Sequence, residues 1–583
     1  MKLFGKNTVA ALVCVLLISS PLMFLTVPFG LAQSGTSIDG IISQDTTWTP
    51  SGSPYILIGN ALVNHGVTIT IQSGVVVNLG DYYLMVNGTL VAKGASNNLV
   101  QFNRGSIIFT SFSIGWSEQA LSGSIIDNAN LTTTPITING TAPKISNSYT
   151  SSITVNGGSP TISNNNVNNK ISIAGGSPTI SNNQIKTTTT TANNIFSQLT
   201  VYQPVNSISI NGSPVISNNV ITGGGQILDN YGRQQGIVSA IQVNGGSPTI
   251  SSNIINGQAG GALEVYSSST ISNNIINGYI RIGTGSTTLS NNDINGMISA
   301  GAEGSMTTFK NNVMGGTQIY AMELSRGSDI ITNNIFNGGG IQLGNDGIQY
   351  SGTTSDVTFI SGNAFYNCSS YAAINLLTLS SVIIEGNVIN KDYGILVRQS
   401  SNLTIQSNTI SNNNGYGISI DSSPLATVNN NNIENNSGYS IYLQDSNNVN
   451  ATYNWWGKTD QQAISQTIYD YYKDFNLGTV NYVPFLTSPD PTAPSQNYKP
   501  IAGSTLSPIP TPTPTPTARP NTTQTPTSNP TGSSPAPTSA PSIPEFSWLA
   551  ILPLLAATLP FVVVKLFRKR KQSSPGIKRC SEP

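Results

Sequence analysis

One asparagine recurs along most of this chain. It sits fifth in a short phrase: Thr-Ile-Ser-Asn-Asn-Asn-Val at 161–167, Thr-Ile-Ser-Asn-Asn-Gln-Ile at 179–185, Thr-Ile-Gln-Ser-Asn-Thr-Ile at 404–410. The copies fall at Asn165, Asn183, Asn219, Asn253, Asn274, Asn292, Asn312, Asn334, Asn363, Asn387, Asn408, Asn431 and Asn454. Most intervals lie between 18 and 29 residues, while two, of 36 and 34, read as close to double periods. A period near twenty carried by β-prone phrases describes a solenoid.

Within each period a buried-type Ile alternates with small polar residues, as a strand with one face inward requires. Gly-Gly-Ser-Pro at 157–160, 175–178 and 245–248 supplies turns, because Gly tolerates positive φ and Pro stops a helix. Helical periodicity is missing between about 60 and 450, which excludes helical repeats. A leucine-rich repeat would need a Leu pattern that is absent. What remains is an all-β parallel β-helix, one coil per period. Twelve steps of about 4.8 Å make a rod of roughly 58 Å. The asparagine is expected at a tight bend, its amide bonded to backbone or to the next Asn in a stacked ladder.

The Ser-Asn-Asn-x-Ile coils resemble right-handed parallel β-helix proteins of the pectate-lyase-like superfamily, especially its NosD-like and surface-protein branch. Trp48-Thr49-Pro50 through Gly66–Ile71 and Gly74–Val77 is similar to the usual first coils. Asn454-Trp455-Trp456-Gly457 through Val483–Leu486 is similar to the last. The resemblance spans about 38–486. It implies the fold, and it points to a surface protein, archaeal in origin, or to polysaccharide chemistry.

The ends divide the chain further. Lys2 and Lys6 precede an apolar run, so 1–32 reads as a signal peptide. Residues 33–155 read as the N-terminal cap and first coils, and 156–458 as the repeats. Residues 459–488 read as a C-terminal cap. There Thr459 or Asp460 would start a short helix presenting Ile464, Ile468, Tyr471 or Tyr472, and Phe475 on one face, ending at Gly478. From 489 to 544 Pro, Thr and Ser dominate, which reads as a disordered stalk suited to O-glycosylation. An apolar span at 547–566 reads as a transmembrane helix, and the basic segment 567–583 as a cytoplasmic tail. Pro544-Glu545-Phe546 also resembles an archaeosortase-type sorting tail; a retained anchor is the preferred reading. The expected location is the cell surface.

The net formal charge of zero hides an asymmetry: between 33 and 564 there are 15 basic and 23 acidic residues, about −8. That argues against a nucleic-acid partner. Cys368 is the one cysteine of the exported part, so no internal disulfide forms there. Sequons stand at Asn87, Asn130, Asn139, Asn367, Asn402, Asn435, Asn450 and Asn521.

Catalytic signatures are sparse. The single histidine, His65, follows Asn64 in a turn-like phrase. The acids are scattered, so no metal ligand set emerges and no cofactor is expected; calcium is neither assigned nor eliminated. One His and seven Met give no soft-ligand cluster for copper. No catalytic residue is assigned. Two short charge stacks form when coils are aligned: Arg398, Asp421 and Gln444, and Glu264 with Arg281. With Tyr442, Tyr266 and Tyr279 nearby, Glu264, Arg281, Arg398, Asp421 and Tyr442 make the candidate ligand surface. The leading reading is a membrane-anchored rod that meets envelope glycans or surface proteins without catalysis. The alternatives are an extracellular polysaccharide lyase or glycoside hydrolase, and a NosD-like periplasmic maturation factor. The longest interval outside the two doubles, Asn334 to Asn363, leaves room for a loop around Gly338–Thr354 to carry a site.

Overall fold

The structure is a computed structural model. It describes residues 35–505 apart from 188–189, 195–198, 204–205, 229–233, 302–304, 317–319, 326–327, 345–356, 369–371, 380 and 446. The signal-like segment, the apolar span, the basic tail and Asn521 lie outside the described residues.

Each coil contributes up to three short strands. Ile153–Gly157, Thr161–Ser163 and Asn166–Val167 make one coil; Ile171–Ile173, Thr179–Ser181 and Gln184–Lys186 make the next. These strands pair in parallel and in register with their counterparts one coil on. Three parallel sheets result, here called first, second and third in that order. Their central residues point inward. Ile162, Ile180, Ile216, Ile250 and Ile271 are fully buried on the second sheet, as are Ile221, Ile255 and Ile276 on the third. Burying one such side chain stabilises by about 1.5–3 kcal/mol. Phe336 and Phe365 stack on adjacent coils at 4.6 Å, where the column changes from aliphatic to aromatic.

The recurring asparagine closes the corner between the second and third sheets. All thirteen copies are buried. From Asn183 onward, each Oδ1 accepts from the backbone N–H and the Nδ2 of the asparagine one coil earlier, for example from Asn274 to Asn292 at 2.9 and 3.0 Å. Each Nδ2 also donates to the carbonyl of the inward residue one coil back, as Asn292 does to Ile271 at 3.0 Å. An amide is the one side chain that accepts and donates in this way while uncharged. The residue just before it has φ between 53° and 64° in all thirteen coils, and it is Asn in eight, Ser in two, Gly in two and Tyr once. Asn and Gly enter this left-handed region at least cost. The Asn-Asn doublet therefore divides two tasks: the first residue turns the chain, and the second locks it to its neighbour. Ser148 extends the ladder backwards, donating its N–H to Asn165 and accepting from Ala129.

Four expectations change. First, the intervals of 36 and 34 are single coils. Asn183 bonds directly to Asn219, and Asn219 to Asn253. The extra residues form antiparallel hairpins, Thr190–Asn194 with Leu199–Gln203 and Gly225–Leu228 with Gln234–Val238, that leave the coil. Second, the C-terminal helix is only Gln461–Ser465, N-capped by Asp460 and burying Ile464. Ile468 instead enters a strand paired with Ile441, and Asp470 accepts from the N–H groups of Tyr472 and Val480 to fold the chain back. Tyr472 and Phe475, assigned to the buried helix face, are about 80% exposed. Third, 489–505 is no free stalk: these residues run back along the third sheet, from Asn432 towards Asn273. Fourth, residues 335–337 and 340–343 are strands, so the expected loop starts only after them, and 345–356 lies outside the described residues. Among the described residues no helix is long and apolar enough to cross a membrane.

Replacing Asn292 by Ala orphans the N–H of Asn274 and the carbonyl of Ile271. The expected cost is about 2–4 kcal/mol, read as a lower midpoint in thermal or denaturant unfolding. Conversely Tyr453, at φ 59°, is the bulkiest residue at the turning position. Tyr453→Gly should raise stability by about 1 kcal/mol in the same assay.

Candidate functional site

The outward side chains of the first sheet form a column that is continuous through the register. Gln242, Glu264, Arg281, Ser299, Glu323 and Gln342 occupy successive coils. Asn375, Leu396, Ser419, Tyr442 and Tyr469 continue it. The two charge-bearing pairs of the sequence thus resolve differently. Glu264 and Arg281 share a column with Tyr442, which lies eight steps from Glu264, or roughly 38 Å. Arg398 and Asp421 are neighbours in register but stand two residues further along their strands, in an adjacent outward column. Gln444 lies past the last strand of this line and donates to Ser419 at 2.8 Å.

The Glu264 side chain is only 12% exposed. Arg281 approaches it at 3.5 Å, Gln242 donates at 3.4 Å, and the Tyr266 hydroxyl donates to its carboxylate. Burial, reinforced by the hydrogen bond to Glu264, pushes the Tyr266 hydroxyl up to about 12, so this phenol stays a donor at neutral pH. Arg281 also lies over the Tyr266 ring, 5.9 Å from its centroid. Burial raises the Glu323 carboxyl. Further on, Asn375 donates to Tyr320 and Gln342, while its own buried Oδ1 has no partner among the described residues.

At the C-terminal end of the column stands a tyrosine cluster. Tyr416 and Tyr442 stack at 4.3 Å with rings 5° apart, Tyr439 lies 6.0 Å from Tyr442, and Tyr469 lies 4.8 Å from Tyr442. Tyr393, Tyr416 and Tyr439 stand five residues before Arg398, Asp421 and Gln444, outside the stacks that the charged residues mark. The signal was a repeated Tyr-Gly or Tyr-Ser before Ile. Tyr469 was hidden in the segment read as helix.

The remaining features carry less chemistry. A cleft of about 640 Å³ near the C-terminal end is lined by Asp470, Lys473 and Tyr482, among others, but the Asp470 carboxylate is spent on backbone N–H groups. Of the sequons, Asn367, Asn402, Asn435 and Asn450 are exposed; Asn87, Asn130 and Asn139 are half-buried. His65 is exposed, and its backbone N–H donates to the Asn64 side-chain oxygen. Among the described residues no three His, Cys, Asp or Glu side chains converge as a metal site.

A second, shorter ladder joins the third and first sheets. Cys368 N–H donates to Asp392, Asp392 N–H to Asn413, and Asn413 N–H to Asn436. Asp392 is buried here, and its carboxyl is raised, chiefly by burial. Burial and the adjacent Asp392 also push the Cys368 thiol well up, and its Sγ–H donates to Gly339.

A family model described as right handed beta helix region matches residues 344–467. No curated protein and no solved structure matches the chain. The match and the stacked parallel sheets together define a right-handed β-helix repeat protein.

Asp392 gives a test of the buried ladder. Its raised carboxyl means that the native state favours the neutral acid. That contribution is complete below the unfolded carboxyl value of about 3.9 and is lost as pH rises through the higher folded value. Wild type should therefore gain stability relative to Asp392→Asn as pH falls from 7 towards 3, in denaturant melts across that window.

Proposed function

We propose that the chain is a surface-displayed rod that holds extended glycans along its first sheet without cutting them. The observation that carries this reading is the tyrosine cluster at one end of a long column of carboxylate, amide, guanidinium and hydroxyl groups. Aromatic faces receive the apolar faces of sugar rings, and the polar column offers donors and acceptors to their hydroxyls. Hydrolysis fits the column poorly. Glu264 and Glu323 stand three coils apart, roughly 14 Å, whereas glycosidase carboxyls lie about 5–9.5 Å apart.

In the same reading residues 1–32 direct export, 459–488 cover the C-terminal end of the rod, and 506–544 form the stalk. Residues 547–566 cross the membrane and 567–583 stay in the cytoplasm. The apolar spans and the basic residues after Val564 support this arrangement. The Ser-Asn-Asn-x-Ile coils support a place in the NosD-like surface branch and an archaeal envelope.

The test is a glycan array probed with the detergent-solubilised full chain, run beside assays for released reducing ends and unsaturated uronates. Binding without release is expected; release of product sinks the non-catalytic reading. Tyr442→Ala should weaken binding about tenfold, in line with the loss of one stacking face.

A further inference from the structure

Residues 489–505 rest between two outward rows of the third sheet. One row is Asn432, Thr409, Val388, Ala364, Ile335, Val313 and Asp293 in register. The other runs Glu434, Ser411, Asn390, Tyr366. The rod meets the segment through its carbonyls, its N–H groups and its side chains: Asp490 N–H donates to Asn432, and the Gln496 side chain bonds Glu434 and Asn412. Four contacts go to carbonyls. Asn432 Nδ2 donates to Asp490 O at 3.2 Å, Thr409 Oγ1 to Pro494 O, Asn390 Nδ2 to Gln496 O at 3.2 Å, and Tyr366 OH to Tyr498 O at 2.5 Å. These four donors come from four successive coils.

The segment is not uniformly extended. Tyr498 N–H donates to Ser495 O and Thr492 N–H to the Asp490 carboxylate, so short turns set the carbonyls of 494, 496 and 498 against three successive coils. Pro491 and Pro494 place residues without an N–H donor in this path. Beneath the segment the rod side chains are small and covered: Ala364, Val388 and Ser411 are fully buried, and Thr409 nearly so. Tyr149, on the first of these rows but many coils away, is 47% exposed. Gly503 completes the seat. It has φ +97°, and a Cβ there would meet Asp293 Oδ1 at 2.6 Å and Val313 at 3.0 Å. Its N–H donates to Asn311 O and that of Ser504 to Asp293.

We propose that these two rows form a binding groove for turn-containing, proline-containing polypeptide, recognised chiefly through its backbone, and that residues 489–505 occupy it in cis. Ser504 then lies on the flank of the rod beside Asp293, and not at its C-terminal end.

A fluorescent peptide of residues 487–505 is the probe. In the full chain, 489–505 is replaced by a Gly/Ser segment of equal length, and thermal melting reports whether the rod keeps its fold. The peptide should bind this variant and fail to bind wild type. Thr409→Val and Asn390→Ala in the same background should each weaken it about fivefold, the effect of one lost hydrogen bond. A folded variant that ignores the peptide, or equal binding by wild type, overturns the proposal. If the variant does not fold, hydrogen exchange on wild type decides: the amides of Asp490, Gly503 and Ser504 should exchange far more slowly than in the free peptide, and unprotected exchange overturns the groove.

Discussion

The amide ladder at the corner between the second and third sheets is the interaction on which the rest of the rod depends. A corner exposes backbone N–H and C=O groups that no sheet pairs, and leaving them buried and unpaired costs about 1–3 kcal/mol each. One asparagine per coil answers both needs and adds a bond to its neighbour. Because from Asn183 onward each Oδ1 is shared by two donors of the coil before, no coil is satisfied alone. Stability is therefore a property of neighbours, as expected for a solenoid.

What was legible in the sequence follows from this. The ladder demands one residue type at one place in every coil, so its spacing was visible, and so was the fold. Intervals were less informative than positions. Coils carrying hairpins at 190–203 and 225–238 have the length of two coils, and only the bond from Asn183 to Asn219 tells them apart. The first-sheet column was half legible. Glu264 beside Arg281 and Arg398 beside Asp421 could be aligned locally. Variable turns between the ladder and the first sheet concealed that Glu264 and Tyr442 share a line. The seat of residues 489–505 was illegible for a different reason. A backbone read through its carbonyls needs no recurring side chain, so a Pro-rich segment looks free.

The same comparison separates holding the rod from using it. Residues that repeat are those that satisfy buried backbone. Residues that do not repeat, such as Arg281, Asn375 and the tyrosines around Tyr442, collect on one outward face. Ser148 and Asp392 stand between these groups: each takes an asparagine's place in a ladder, with a hydroxyl or a carboxyl that meets the same N–H.

The two hairpins reveal a separation between chain length and height. Asn165 to Asn183 uses 18 residues and Asn183 to Asn219 uses 36, yet each interval is one step of the ladder. Added sequence is spent on girth. Such a scaffold can acquire or lose a lateral loop in any coil while every group above and below keeps its elevation. Two sites on different coils can therefore change independently, with the distance between them held constant by a row of amides.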